Sequence, residues 1–182
     1  MMRKQVEVKK RGKVVIIRFY KREVYQPERK PSVKRFLRKM KATLFPCRAI
    51  EITAEQLEDL ILKTFGSDYE YHVLISDEKF RIITKDQMQQ LLEEDDTDTL
   101  PYILTYADCD DFSDVLLGQL TRKTWVQGFA IGQLWYFNPR FGHAVNLFCD
   151  GEKIWIVEPQ SDRILEWGSE PDYSGHAFMV KF

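Results

Sequence analysis

Apolar positions alternate with polar ones near the two ends of the chain and follow helical spacing through its middle. Val6 and Val8 fall on one side of residues 5–9, and residues 13–20 (KVVIIRFY) form a β-branched run. Arg11-Gly12 lies between them, which predicts a hairpin. Pro27 and Pro31 mark a break. Ser32 then caps a short basic helix with Val33, Phe36, Leu37 and Met40 on one face, ended by Phe45-Pro46. Thr53 and Gln56 form a capping box ahead of Leu57, Leu60, Ile61 and Phe65, with Gly66 as the stop. Residues 71–75 and 80–83 read as strands around Asp77-Glu78. Thr84 and Gln87 open a second helix, which runs to Glu93. An acidic loop, 93–98, leads to an expected short strand at 102–106. Phe112, Val115, Leu116 and Leu120 then fit a helix whose first turn holds Cys109. From Trp125 onward the pattern is β, with turns at Asn138-Pro139, Asp150-Gly151 and Glu170-Pro171. Gly142-His143-Ala144 is echoed by Gly175-His176-Ala177, and both open strand-like segments. Helices precede strands, so the expected fold class is α+β.

Composition narrows the functional classes. The 182 residues are 44% apolar and 30% charged, enough for one ordinary domain with its own core. No apolar run reaches the roughly 18–20 residues of a membrane span, and no secretory leader is expected, so a cytoplasmic or virion-associated protein is the default. Three cysteines, Cys47, Cys109 and Cys149, are too scattered for a disulfide framework or a zinc cage. The net charge of −1 conceals a strong asymmetry. Residues 1–41 hold sixteen Lys or Arg against three Glu, a formal +13, while the rest of the chain carries −14. A basic extension or accessory layer is therefore expected over 1–50, ahead of a domain over 51–182. Three readings fit the asymmetry: binding of a polyanion such as nucleic acid, docking on an acidic partner, or pairing with the chain's own acids.

The chemistry centres on the turn at Asp150-Gly151. A two-residue loop there sets Cys149 opposite Glu152 and His143 opposite Glu158. Directly opposed side chains have Cβ atoms about 4.5–5.5 Å apart on one face. Glu158 would then hold the His143 imidazole, fixing its tautomer and raising its basicity. Cys109 is the candidate nucleophile, because a helix start favours a thiolate. Cys109, His143 and Glu158 together suit thiol acyl transfer. Asp108, Asp110, Asp111 and Asp114 crowd the same turn. They either complement the helix dipole or offer oxygen ligands to Ca²⁺.

Three stretches carry a family resemblance. They are Asp108-Cys109-Asp110-Asp111-Phe112, Gly142-His143-Ala144-Val145-Asn146, and Ile154-Trp155-Ile156-Val157-Glu158-Pro159-Gln160. Over roughly residues 100–165 the chain resembles the papain-like C-terminal domain of Marasmius-type fungal agglutinins and related bacterial and phage proteins. The resemblance implies a papain-like cysteine protease fold and a peptidase activity with Cys109, His143 and Glu158 in the family's order. It also implies a peptide or protein substrate and dependence on Ca²⁺, with Asp108, Asp110 and Asp111 as candidate ligands. Within these 182 residues no carbohydrate-binding trefoil repeat is expected ahead of the domain. The alternative is a papain-fold binding or structural module without turnover, encoded by a phage or mobile element.

Other residues fill supporting places. Gln160, Trp135 and Phe141 are the expected substrate-binding residues; the aromatics form a cleft wall or a loop lid, and Gln160 lines the site or ties its loop. The Cys109 backbone N–H can serve as one oxyanion donor, and a second must come from a side chain. His176 is an alternative base without a derivable carboxylate partner. Cys47 and His72 read as structural, and Cys149 lies at the hairpin tip, too far to be the nucleophile.

Overall fold

The computed structural model describes residues 5–20, 50–125 and 127–182. The basic helix expected from Ser32, and Cys47 with it, lie outside the described residues. Strands β1 (Gln5–Arg11) and β2 (Val14–Tyr20) form the expected hairpin, with Gly12 supplying the positive φ of 61° at the turn. Short strand β3 (Glu51–Thr53) leads into α1 (Ala54–Phe65), which Thr53 and Gln56 cap reciprocally. Strand β4 (His72–Ile75) and β5 (Lys79–Arg81) follow. These two do not pair with each other: β5 pairs with β3, while β4 enters the large sheet. Thr84 and Gln87 cap α2 (Lys85–Glu93) as their spacing predicts, and α3 (Cys109–Lys123) begins at the expected cysteine. The remainder is β6 (Ile131–Phe137), β7 (Gly142–Cys149), β8 (Ile154–Glu158), β9 (Arg163–Glu166) and β10 (His176–Lys181).

One mixed sheet organises the described residues, in the order β1-β2-β4-β10-β6-β7-β8-β9. The β4 strand is parallel to both neighbours and every other pairing is antiparallel. Alternation along each strand sends one set of side chains to each face. On one face Ile16, Val73, Leu134, Tyr136, Val145, Leu147 and Ile156 pack with Leu57 and Ile61 of α1. On the other, Phe148 and Val157 pack with Met88, Leu91 and Leu92 of α2 and Leu116 and Leu120 of α3. The result is a three-layer α+β arrangement with a core on each side of the sheet.

Part of the basic front is used inside the molecule. Lys9, Arg11 and Arg18 reach across to Glu55, Glu58 and Asp59 of α1, and Glu58 is buried among three cations. For these residues the charge asymmetry is self-pairing, which offsets the desolvation of a buried carboxylate. No helix among the described residues is long and apolar enough to cross a membrane.

Gly175, at the entrance to β10, has φ 135°. A Cβ there would lie 2.2 Å from the Phe137 carbonyl oxygen and 3.0 Å from the Asn138 Cα, both backbone atoms. Neither can swing aside as a side chain does. Gly175→Ala is expected to destabilise the fold by about 3 kcal/mol, read as a lowered urea midpoint. A loss below about 1 kcal/mol would show that the β6–β10 contact yields.

Candidate active site

Cys109 is placed by a polar lock one helical turn further along α3. Asn146 of β7 donates to the Ser113 carbonyl at 2.9 Å. The fully buried Gln133 of β6 donates to Ser113 Oγ at 3.2 Å and to Asp114 Oδ1 at 2.6 Å. Buried polar contacts of this kind admit few alternative registers. With Ser113 held over the middle of β7, the start of α3 overhangs the start of that strand. There Cys109 meets Gly142 and His143 in one cleft, lined also by Tyr102, Phe141 and Gln160.

The His143–Glu158 pair exists, by a register the sequence did not predict. The loop between β7 and β8 has four residues, Asp150 to Lys153, so Cys149 faces Ile154 rather than Glu152. Asp150 is the cause. Its Oδ1 accepts from the Glu152 and Lys153 N–H groups at 2.9 and 2.8 Å, and its Oδ2 accepts from Trp155 Nε1 at 2.6 Å. That side chain builds an Asx-type turn and moves the centre of the reversal one residue on. The register therefore slips by two. A slip of two keeps every side chain on its expected face, whereas a slip of one would reverse them. Glu158 becomes the diagonal neighbour of His143, and diagonal Cβ atoms sit about 7–8 Å apart. An imidazole and a glutamate side chain span that gap, and His143 Nε2 lies 2.8 Å from Glu158 Oε2.

The β7–β8 ladder ends at Asn146 and Val157. By alternation His143 belongs to the α1 side of the sheet and α3 to the other. The two sides communicate at this opening, where β7 has no ladder partner on its β8 side.

Glu158 is firmly held. It is 5% exposed, its Oε2 also accepts from the Tyr173 hydroxyl at 3.0 Å, and its Oε1 accepts from the Gln160 N–H at 3.3 Å. With Nε2 occupied, Nδ1 is the ring nitrogen left for Cys109, which lines the same cleft. Burial disfavours the charged ring, but hydrogen bonds and charge from Cys109 and Glu158 outweigh it and raise the imidazole to about 9. The ring is further fixed by edge contacts with Tyr136 at 5.8 Å and Phe141 at 5.9 Å. Burial, with Glu158 adding, pushes the Tyr173 phenol up to about 12, so it stays a donor to the carboxylate.

Of the expected substrate-binding residues, Gln160 and Phe141 line the cleft and Trp135 does not. Trp135 pairs with Ala144 and so shares the sheet face opposite to His143. The segment 102–106 is a tight turn rather than a strand, with one bridge from Ile103 to Ala107 and Thr105 at φ 69°. Its Tyr102, a cleft residue that the strand pattern concealed, packs on Phe112 at 6.2 Å between ring centres. Tyr173 is a further functional residue: it closes a short 3₁₀ turn (Pro171–Tyr173) distant in sequence, and no local pattern points to its contact with Glu158. His176 lies against Tyr69, 3.7 Å between ring centres, away from this cleft. Cys149 is fully buried, and burial pushes its thiol up to about 11.

The acidic turn is a candidate cation site. Asp108, Cys109 and Asp110 have their ligand atoms within 4.8 Å of one another. Asp111 instead accepts from the Asp108 N–H at 3.2 Å and serves the helix start. A hydrogen bond with Asp108, and burial, raise the Asp110 carboxyl. Two carboxylates and a soft thiol fall short of the six to eight oxygens Ca²⁺ takes. Backbone carbonyls and water would have to supply the rest if Asp108 and Asp110 held that ion.

No protein-family model matches the chain, and no curated protein sequence does. Solved structures do. A PSL1a–E64 complex aligns at TM-score 0.61 and 23% identity, over 72% of this chain and 51% of that one. The Polyporus squamosus lectin bound to the epitope Neu5Aca2-6Galb1-4GlcNAc aligns at TM-score 0.58 and 21% identity, over 72% and 49%. The fold is shared with fungal lectin chains. This chain spans about half the length of each, and at these identities the likeness concerns fold alone.

Proposed function

We propose that the chain is a cysteine-dependent hydrolase of papain-like design, a peptidase working by thiol acyl transfer. The observation that carries this reading is the His143 imidazole, held by Glu158 at 2.8 Å in the same cleft as a cysteine at a helix start. Residues 51–182 hold every group involved. Cys109 Sγ attacks an amide carbonyl carbon, its charge offset by the imidazolium. The developing oxyanion faces the helix N-terminus, where the Cys109 N–H has no intrahelical partner. His143, charged at neutral pH, gives its proton to the leaving amine and later takes one from the water that hydrolyses the thioester. Glu158 orients the ring and stabilises its charged form. Gln160, which lines the same cleft, is the side chain we propose as the second oxyanion donor.

A second reading is a binding module that keeps the arrangement without turnover. Asp108 and Asp110 beside the thiol favour it, since they oppose further negative charge, and so does the glycan bound by the Polyporus squamosus lectin.

Thiol reactivity separates the two. In a Cys47→Ser background, iodoacetamide near neutral pH is expected to label Cys109 at least about tenfold faster than a free cysteine peptide. Cys149 should stay unlabelled until the protein unfolds. E64, the compound in complex with PSL1a, is the second probe, and one adduct mapped to Cys109 is expected. Slow, equal labelling of both cysteines would leave the binding module standing.

A further inference from the structure

We propose that the cleft accepts a polypeptide carrying a bulky apolar side chain, aromatic or aliphatic, beside the carbonyl presented to Cys109, with the turn at 102–106 as its docking ledge. The cleavage step rests on the peptidase reading above; the binding preference does not.

The ledge is a built feature. Ile103 N–H donates to the Ala107 carbonyl at 2.9 Å, and the Ala107 and Tyr106 N–H groups donate to the Ile103 carbonyl at 2.8 and 3.0 Å. Three backbone hydrogen bonds thus close a turn around the left-handed Thr105. On it Tyr102 is 52% exposed, Ile103 50%, Leu104 71% and Tyr106 85%. Single exposed apolar residues need no explanation, but four on one closed turn form a patch of the kind that marks an interaction surface.

This patch runs into the cleft. Tyr102 belongs to both: it lines the cavity of about 300 Å³ that contains Cys109 and His143. Another lining ring is Phe141, 39% exposed and set edge-on to the imidazole. Gly142 belongs to the same lining, and the Phe137 ring fills the place of its missing Cβ, 2.9 Å from where that atom would lie. The volume suits one or two side chains, and its walls are two aromatic rings with one amide, Gln160.

Charge selects against the other occupants. Asp108 and Asp110 flank the thiol, so an acidic side chain or a sialylated glycan meets like charge at the mouth. A neutral glycan presents hydroxyls on every side, and within the lining only Gln160, His143 and the Tyr102 hydroxyl can meet them. An apolar side chain loses nothing to either constraint.

The test uses the full chain with Cys109→Ala, which binds without turnover. Three random nonapeptide libraries, identical except for Phe, Ala or Asp at the central position, are titrated by fluorescence anisotropy. The Phe library is expected to bind at least about tenfold tighter than the Ala library, and the Asp library more weakly still. The double variant Leu104→Ser/Tyr106→Ser, placed on that chain, should lose most of this preference while its urea midpoint is unchanged. Equal binding of the three libraries overturns the proposal. So does a preference untouched by the double variant, or displacement of the Phe library by the trisaccharide Neu5Acα2-6Galβ1-4GlcNAc. The wild-type chain is then tested for cleavage of the Phe library. Preferred binding without cleavage removes the peptidase reading and leaves this inference in place.

Discussion

Replacing His143 with alanine is expected to lower hydrolysis of any peptide the unaltered chain cleaves by about 10²–10⁴-fold, the range a positioned acid–base group contributes. The argument is geometric. Among the described residues the imidazole joins Glu158, 2.8 Å from its Nε2, to the cleft that holds Cys109, and Tyr136 and Phe141 hold its plane. Without it nothing offsets Asp108 and Asp110 near the thiol, and no proton is stored for the leaving amine. Alkylation of Cys109 should fall at the same time to the rate of an ordinary thiol or below it. The urea midpoint of the variant, measured alongside, shows whether the fold survives, since Glu158 keeps its contacts to Tyr173 and Gln160. Retention of rapid alkylation in His143→Ala would end the acyl-transfer reading, because the thiol would then owe its reactivity to the helix start alone.

The second large effect concerns stability and pH. The His143 imidazole stands at about 9 in the folded chain against an ordinary value of 6.5. Folding therefore favours the protonated ring. The stabilisation is fully present below about pH 6.5 and is lost as pH rises through about 9. A gap of this size corresponds to a contribution on the order of 3 kcal/mol. In Glu158→Gln the carboxylate charge is gone while burial still disfavours the imidazolium, so the ring should titrate more than one unit lower, as followed by NMR. Urea unfolding of the wild type and this variant should differ most near pH 6 and converge near pH 10. Curves that stay parallel across that window would mean that Glu158 holds the ring by shape rather than by charge.

Much of this site follows from local rules. Thr53 with Gln56, and Thr84 with Gln87, announce their helices because a capping box satisfies backbone donors within four residues. Cys109 at a helix start follows from the apolar spacing of Phe112, Leu116 and Leu120 in the same way. The facing of His143 and Glu158 survived an error in the turn. Side-chain direction in a strand depends only on odd or even position, and the four-residue loop preserved that parity.

The rest depends on distant segments. Nothing near Tyr102 shows that its turn borders a cleft, since that needs the lock of Ser113 onto Gln133 and Asn146 to set where α3 lies along β7. Trp135 looks like a cleft aromatic beside Phe141 in the chain, yet its pairing with Ala144 sends it to the opposite face from His143. Tyr173 reaches Glu158 only because residues after β9 fold back across the sheet. By itself the amino-acid order determined α1, α2 and α3, the strand faces, the place of Cys109 and the pairing of the imidazole with the carboxylate. Tertiary structure decided the register between them, the cleft's walls and the partners of the basic front, because those rest on contacts whose two halves carry no mark of each other in the sequence.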